Sequence, residues 1–101
     1  MTEDVSAPDG FVREIGATVA EFERGLRLAV PDGVARPQPG HLRVSVAGTL
    51  LSIEVTERPE RRLGQFRLPV LLARYRFLSG DVPARLALLA HLDRAMQRGG
   101  G

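Results

Sequence analysis

Hydrophobic residues in this chain repeat with two different periods, and the order of those periods limits which folds the chain can adopt. A helical spacing comes first, alternating strand-like runs occupy the middle, and a second helical spacing comes last. Apolar residues every three or four positions line one face of a helix, whereas strict alternation lines one face of a strand. The sequence therefore predicts a helix, three strands and a second helix.

The first helical spacing follows Asp9, a residue type that often caps the start of a helix. Its apolar residues are separated by four, four, three and four positions: Phe11, Ile15, Val19, Phe22 and Leu26. We expect one helix over this stretch, ended by the Pro31-Asp32-Gly33 turn. Pro37 and Pro39 predict an extended, irregular segment before the first strand, because proline restricts the residue before it and cannot donate a backbone hydrogen bond.

The alternating runs begin at His41. The first two lie on either side of the Ala47-Gly48 turn, which is typical of a β-hairpin. We expect the next turn at Arg58-Pro59-Glu60-Arg61. The third run extends to Leu78, and its alternation shifts between Leu68 and Leu71, where Pro69 lies. Because a period of two cannot shift without an inserted residue or a break, we expect an irregularity at Pro69, on a part of the strand that forms a sheet edge.

The last pattern is a second helix, capped by Ser79-Gly80-Asp81 and expected to end at Gly99-Gly100-Gly101. Its apolar stripe contains five residues: Val82, Leu86, Leu89, Leu92 and Met96. The complete order predicts an α+β fold with two layers, α-β-β-β-α, in which an antiparallel three-stranded meander carries both helices on one face. We assign residues 1–8 to a frayed N-terminus, 9–98 to a single domain and 99–101 to a glycine tail.

The parity of the strands and the stripes of the helices also predict which side chains share the core. The expected core contains apolar residues from every element: Phe11, Ile15, Val19, Phe22, Leu26, Val44, Val46, Leu51, Ile53, Val55, Tyr75, Phe77, Leu86, Leu89 and Leu92.

Several kinds of chemistry lack the residues that they require. The chain has no cysteine, and all 14 of its basic residues are arginine, which excludes thiolate sites, a Schiff-base lysine and a P-loop lysine. His41 and His91 stand alone, without the carboxylate cluster of a metal site, and no catalytic triad is recognisable. We therefore expect no enzymatic activity, no metal and no cofactor.

The sequence also carries no pattern of a secreted or membrane protein. Its start, Met1-Thr2-Glu3-Asp4, is acidic, and its longest apolar run, Val70-Leu71-Leu72-Ala73, is far too short to span a bilayer. These features predict a cytoplasmic protein without membrane contact.

Arginine is concentrated between residues 57 and 76, although the whole chain has a net charge of only +2. Guanidinium groups suit planar anions, so this segment supplies the candidate binding residues: Arg58, Arg61, Arg62, Arg67, Arg74 and Arg76. The alternative is a solvated strand surface on which Arg74 and Arg76 pair with Glu54 across the sheet.

These observations favour a small non-enzymatic protein-interaction module that acts through an open sheet face or an edge strand. Its partner would be another protein or a second copy of the chain, as in a homodimer. An alternative is a domain that binds RNA or another polyanion through the arginines of residues 58–76. A weaker alternative is a carrier or modifier that uses the C-terminal glycine tail.

Overall fold

The computed structural model describes residues 10–100, with side chains up to residue 96. Its elements follow the chain in the order β1 (Gly10–Ile15), α1 (Val19–Ala29), β2 (Val34–Gln38), β3 (His41–Val46), β4 (Thr49–Leu63), β5 (Phe66–Ser79) and α2 (Val82–Gly100). All neighbouring strands are antiparallel, and they form one sheet in the order β1-β5-β4-β3-β2. The fold is therefore α+β, as the sequence predicts.

The number of strands differs from the prediction. The strands β3, β4 and β5 are neighbours in the sheet, but β1 pairs with the other side of β5 and β2 pairs with the other side of β3. The sheet therefore has five strands rather than three, and the first element of the described chain is a strand rather than a helix.

The prediction of one helix from residue 9 onwards is wrong. Phe11 and Ile15 lie on β1, and the helix begins only after Thr18, whose hydroxyl accepts a hydrogen bond from the Glu21 backbone at 3.1 Å. The Glu21 carboxylate in turn accepts a hydrogen bond from the Thr18 backbone at 3.0 Å, which completes a capping box. Asp9, the expected cap, lies outside the described residues.

The segment after α1 was expected to be irregular, yet it forms the edge strand β2. The segment is extended, and it is irregular at one point: the register of β2 against β3 shifts between Ala35 and Gln38, where Pro37 lies. Proline is tolerated at this position because β2 has a neighbour on one side only.

A single buried cluster joins the sheet to both helices. Its members are Phe22, Leu26, Leu42, Val44, Leu51, Ile53, Val55, Leu71, Ala73, Tyr75, Phe77, Leu88 and Leu92. Four other predicted core residues, Phe11, Ile15, Val19 and Leu89, are partly buried against it. The remaining two, Val46 and Leu86, are exposed, so those predictions are wrong. In α2, Leu88 is buried, whereas Leu86 of the predicted stripe is exposed.

The predicted irregularity at Pro69 is confirmed. The pairs Arg58–Val70 and Arg61–Leu68 enclose two residues on β4 but only Pro69 on β5, so β4 carries the extra residue of a bulge. The pairing of β1 with β5 ends at Leu71, so Pro69 lies on a stretch that has β4 as its only neighbour. This part of β5 is therefore an edge, as expected.

The second helix begins as predicted, with the Asp81 carboxylate accepting a hydrogen bond from the backbone of Ala84 at 2.9 Å. It continues through Gly100 and therefore includes two of the glycines that were expected to end it. Among the helices of the described residues, none is long and apolar enough to cross a membrane.

Candidate interaction surface

Half of the side chains on the central strands point away from the buried cluster. On β5, Leu71, Ala73, Tyr75 and Phe77 are buried, and the alternate residues Leu72, Arg74, Arg76 and Leu78 are half-buried or exposed. Side chains that pair directly across an antiparallel sheet lie on the same face. The pairing therefore assigns further residues to the surface that we call the open face. These are Val12, Glu14, His41, Arg43, Ser52, Glu54 and Thr56.

One row of the open face contains two arginines on either side of a serine. Ser52 on β4 pairs with Arg43 on β3 and with Arg76 on β5. Because neighbouring strands lie about 4.8 Å apart, the backbones of Arg43 and Arg76 are about 10 Å apart. Within residues 10–96, no carboxylate pairs with either guanidinium. The two side chains therefore remain available to an external anion.

The next row is largely neutralised by its own residues. The Glu54 carboxylate lies 3.0 Å from Nε2 of His41 and 3.7 Å from Nε of Arg74, so it accepts contacts from both neighbouring strands. All three side chains are at least one-third exposed, and ion pairs of this kind contribute at most about 1 kcal/mol. The row nevertheless shows that Arg74, unlike Arg76, already has an anionic partner. The sequence predicts the pairing of Arg74 with Glu54 as one alternative, but not the contact of His41, which the hairpin register places opposite Glu54.

Residues 58–70 extend beyond the rest of the sheet as a two-stranded hairpin, which we call the arm. The pairing of β3 with β4 ends at Glu54, and that of β1 with β5 ends at Leu71, so only the two strands of the arm pair with each other. The prediction of a turn at residues 58–61 is wrong, because these residues lie within β4. The turn is at the tip of the arm and contains Gly64 in a left-handed conformation, with φ of +62°. Four of the six candidate arginines lie on this arm: Arg58, Arg61, Arg62 and Arg67.

The six candidate arginines do not form one patch. Strand alternation and the bulge place Arg58 and Arg61 on the same face as Arg74 and Arg76, because they pair with Val70 and Leu68. Arg62 and Arg67 pair with each other and lie on the opposite face of the arm. Arg61 also contacts the Glu14 carboxylate at 2.8 Å, which ties the base of the arm to β1.

Apolar side chains accompany the arginines at the end of the arm. Leu63 and Phe66 pair directly across the tip, and Leu68 follows Phe66 on the same face. The Phe66 side chain is 73% exposed, which is unusual for a large aromatic residue. The sequence showed that Phe66 and Leu68 share a parity, but without the sheet order it could not show that they leave the core. The open face therefore continues from a basic centre to an apolar tip.

The remaining polar contacts have structural roles. The Arg13 guanidinium forms an ion pair with Asp93 of α2 and lies 5.1 Å from the centre of the Phe11 ring. Phe11 stacks on Tyr75 with ring centres 4.7 Å apart, and burial raises the pKa of Tyr75 to about 12. His91 contacts the backbone carbonyl of Ala29 at 2.7 Å rather than Asp93, so these two side chains do not form a dyad. Among the described residues, no three His, Asp or Glu side chains gather into a metal-binding group.

The fold defines an α+β protein with a five-stranded antiparallel sheet and a protruding arm. Neither protein-family models nor curated protein sequences give a match to this chain.

Proposed function

We propose that the protein is a non-enzymatic protein-interaction module of the cytoplasm, in which both helices cover one face of the sheet and the open face binds a partner. The observation that carries this proposal is the combination of unpaired arginines with exposed apolar side chains on one continuous surface. The arrangement of the helices is supported by the single buried cluster to which both of them contribute. Arginine and aromatic residues are the types enriched where proteins bind each other.

The chemistry of the open face indicates an acidic partner with apolar side chains. Arg43, Arg58 and Arg76 have no carboxylate partner among the described residues, and a complementary acidic surface would neutralise them. Phe66 and Leu63 would supply the apolar contacts at one end of the same surface. A basic centre beside an apolar end also gives the bound partner a defined direction.

Affinity capture with a matched control tests this proposal. Arg43→Ser with Arg76→Ser removes the two unpaired guanidinium groups on either side of Ser52. The control, Arg24→Ser with Arg94→Ser, removes the same charge from exposed positions on α1 and α2. Quantitative mass spectrometry of proteins captured from the native host should show a partner that the first variant loses and the control retains. Thermal unfolding should change little in either variant.

Equal capture by both variants would contradict a role for the open face. A photo-reactive amino acid at Ser52 provides an independent measurement, since Ser52 lies between the two arginines. We expect the captured partner to crosslink at this position but not at Arg24.

A second candidate function is binding of RNA or another polyanion, which is favoured by the Arg43–Ser52–Arg76 row. Two guanidinium groups carried by backbones about 10 Å apart can reach separate phosphates of one strand. This function predicts an affinity for single-stranded RNA that falls steeply as salt rises. A protein partner with apolar anchors would depend less on salt and would lose affinity when Phe66 is replaced by Ser. Fluorescence anisotropy with an RNA oligonucleotide at several salt concentrations separates the two functions.

A further inference from the structure

The exposed strand edges of this protein are protected unequally. Edge strands resist unwanted pairing when they contain proline or a bulge. The outer strand β2 contains Pro37, the free stretch of β4 in the arm contains Pro59, and the free stretch of β5 contains Pro69. By contrast, β1 contains no proline, and its six residues pair with β5 in an unbroken register.

The charged side chains of β1 are also neutralised within the chain. Arg13 pairs with Asp93 of α2, and Glu14 pairs with Arg61 of the arm. The neighbouring residue Val12 is 48% exposed and lies on the open face. Thus β1 presents a regular edge with no proline, no bulge and no unpaired charge, which is the form of edge that can accept another strand.

We propose that β1 pairs with β1 of a second copy of this chain, forming a two-fold symmetric dimer with a continuous ten-stranded sheet. This inference depends on the backbone edge of β1 and not on the arginines of the open face, so either proposal can fail without the other. The register follows from symmetry. When a two-fold axis stands perpendicular to the sheet, side chains that pair must lie on the same face, so one residue must face its own copy.

Two residues near the middle of β1 could occupy the axis. Placing Arg13 there would bring two guanidinium groups directly opposite each other, and like charges in this position are unfavourable. Placing Val12 there pairs two exposed apolar side chains and sets Phe11 opposite Arg13 of the second copy. Aromatic and guanidinium groups attract each other, as the contact of Arg13 with the Phe11 ring within one chain illustrates. The side chains of β1 therefore select the register centred on Val12.

The proposed dimer would also enlarge the open face. Within one copy, Val12, Arg74 and Glu54 form a row across three neighbouring strands. In the register centred on Val12, this row continues directly into the same three residues of the other copy. A six-residue strand pair is smaller than a standard stable interface. We therefore expect a concentration-dependent dimer with a Kd in the micromolar range.

Sedimentation velocity over protein concentrations from about 1 to 500 μM tests the proposal. The wild-type chain should approach twice its mass of 11.0 kDa as its concentration rises. The variant Val12→Glu should raise the Kd at least tenfold, because two carboxylates would face each other on the axis. Within one chain the same substitution places a carboxylate opposite Arg74, so the folded monomer should remain stable. The control Leu28→Glu, at an exposed position on α1, should leave dimerisation unchanged.

Two further variants test the register. A mixture of Val12→Glu and Val12→Lys chains should form a mixed dimer, because opposite charges then meet on the axis. The chain has no cysteine, so a single Val12→Cys substitution should give a disulfide-linked dimer under mild oxidation. The control Glu14→Cys should not, because its copy lies about 13 Å away along the paired strands. A wild-type protein that stays monomeric, a dimer insensitive to Val12→Glu, or equal crosslinking by both cysteine variants would each overturn the proposal.

Discussion

Two adjacent leucines on β5 allow the two faces of the sheet to be tested against each other. Leu71 is 1% exposed within the buried cluster, whereas Leu72 is half-buried on the open face. Replacing a fully buried leucine with alanine removes apolar contacts and leaves a cavity, which together cost about 3–5 kcal/mol. The same replacement at Leu72 should cost about 1 kcal/mol or less, because water already reaches that side chain.

The difference should be large on the scale of the whole fold. Domains of this size have a free energy of unfolding of about 5–15 kcal/mol, so Leu71→Ala should remove a substantial fraction of it. At about 4–8 °C per kcal/mol, its melting temperature should fall by more than about 10 °C, while that of Leu72→Ala should fall by only a few degrees. Circular dichroism measures the free energy of unfolding during a urea titration and the melting temperature during heating. Equal losses at the two positions would refute the assignment of β5 side chains to opposite faces.

Three further predictions concern single positions. Burial raises the pKa of Tyr75 to about 12 from a usual value of about 10, so the folded state holds a proton that the unfolded state loses. The stability that the protonated Tyr75 contributes is complete below pH ~10 and is lost as the pH rises towards 12. The free energy of unfolding measured with urea should therefore be lower at pH 11 than at pH 9, and Tyr75→Phe should reduce this difference. Gly80→Ala should cost about 2 kcal/mol or more, because φ is +105° and the new Cβ would lie 2.6 Å from Oγ1 of the buried Thr49. The control is Gly48→Ala, at φ of +86° but in open space, which should cost only about 1 kcal/mol. Thermal unfolding measures the loss of stability in both variants. Thr18→Ala should destabilise the protein by about 1 kcal/mol through loss of the cap of α1, and an unchanged melting temperature would show that the capping box is not important.

The sequence predicted the turn between β3 and β4 at Ala47-Gly48 because strict alternation precedes and follows it, but it placed the next turn at residues 58–61, where β4 continues to Leu63. It failed at the N-terminus for a specific reason. Phe11 and Ile15 are four positions apart, and a separation of four agrees both with a helical face and with one face of a strand. The stronger signal was the pair Thr18 and Glu21, which has the spacing of a capping box and marks where the helix begins.

The sequence also failed to predict which leucine of α2 is buried and how the arginines divide between the two faces, because both depend on contacts between distant segments. The sequence of α2 has apolar residues on more than one face, so only packing against the sheet decides that Leu88 is buried and Leu86 is not. The candidate arginines were assigned to one surface because they are close in sequence. A bulge at Pro59-Glu60 and strand alternation divide them between two faces, and this division could not be read without the register of β4 and β5.

The pairing of β1 with β5 has a consequence for how the protein is made. The ribosome synthesises β1 before α1, β2, β3 and β4, whereas the pairing partners of β1, from Leu71 to Arg76, lie on β5 and follow all of these elements. At ~5–20 residues per second, the new β1 strand waits for several seconds with no strand to pair with. The hairpins of β3, β4 and β5 need only short loops to close, so they can form earlier. Although β1 precedes the other described strands in the chain, it is therefore expected to be the last of them to join the sheet.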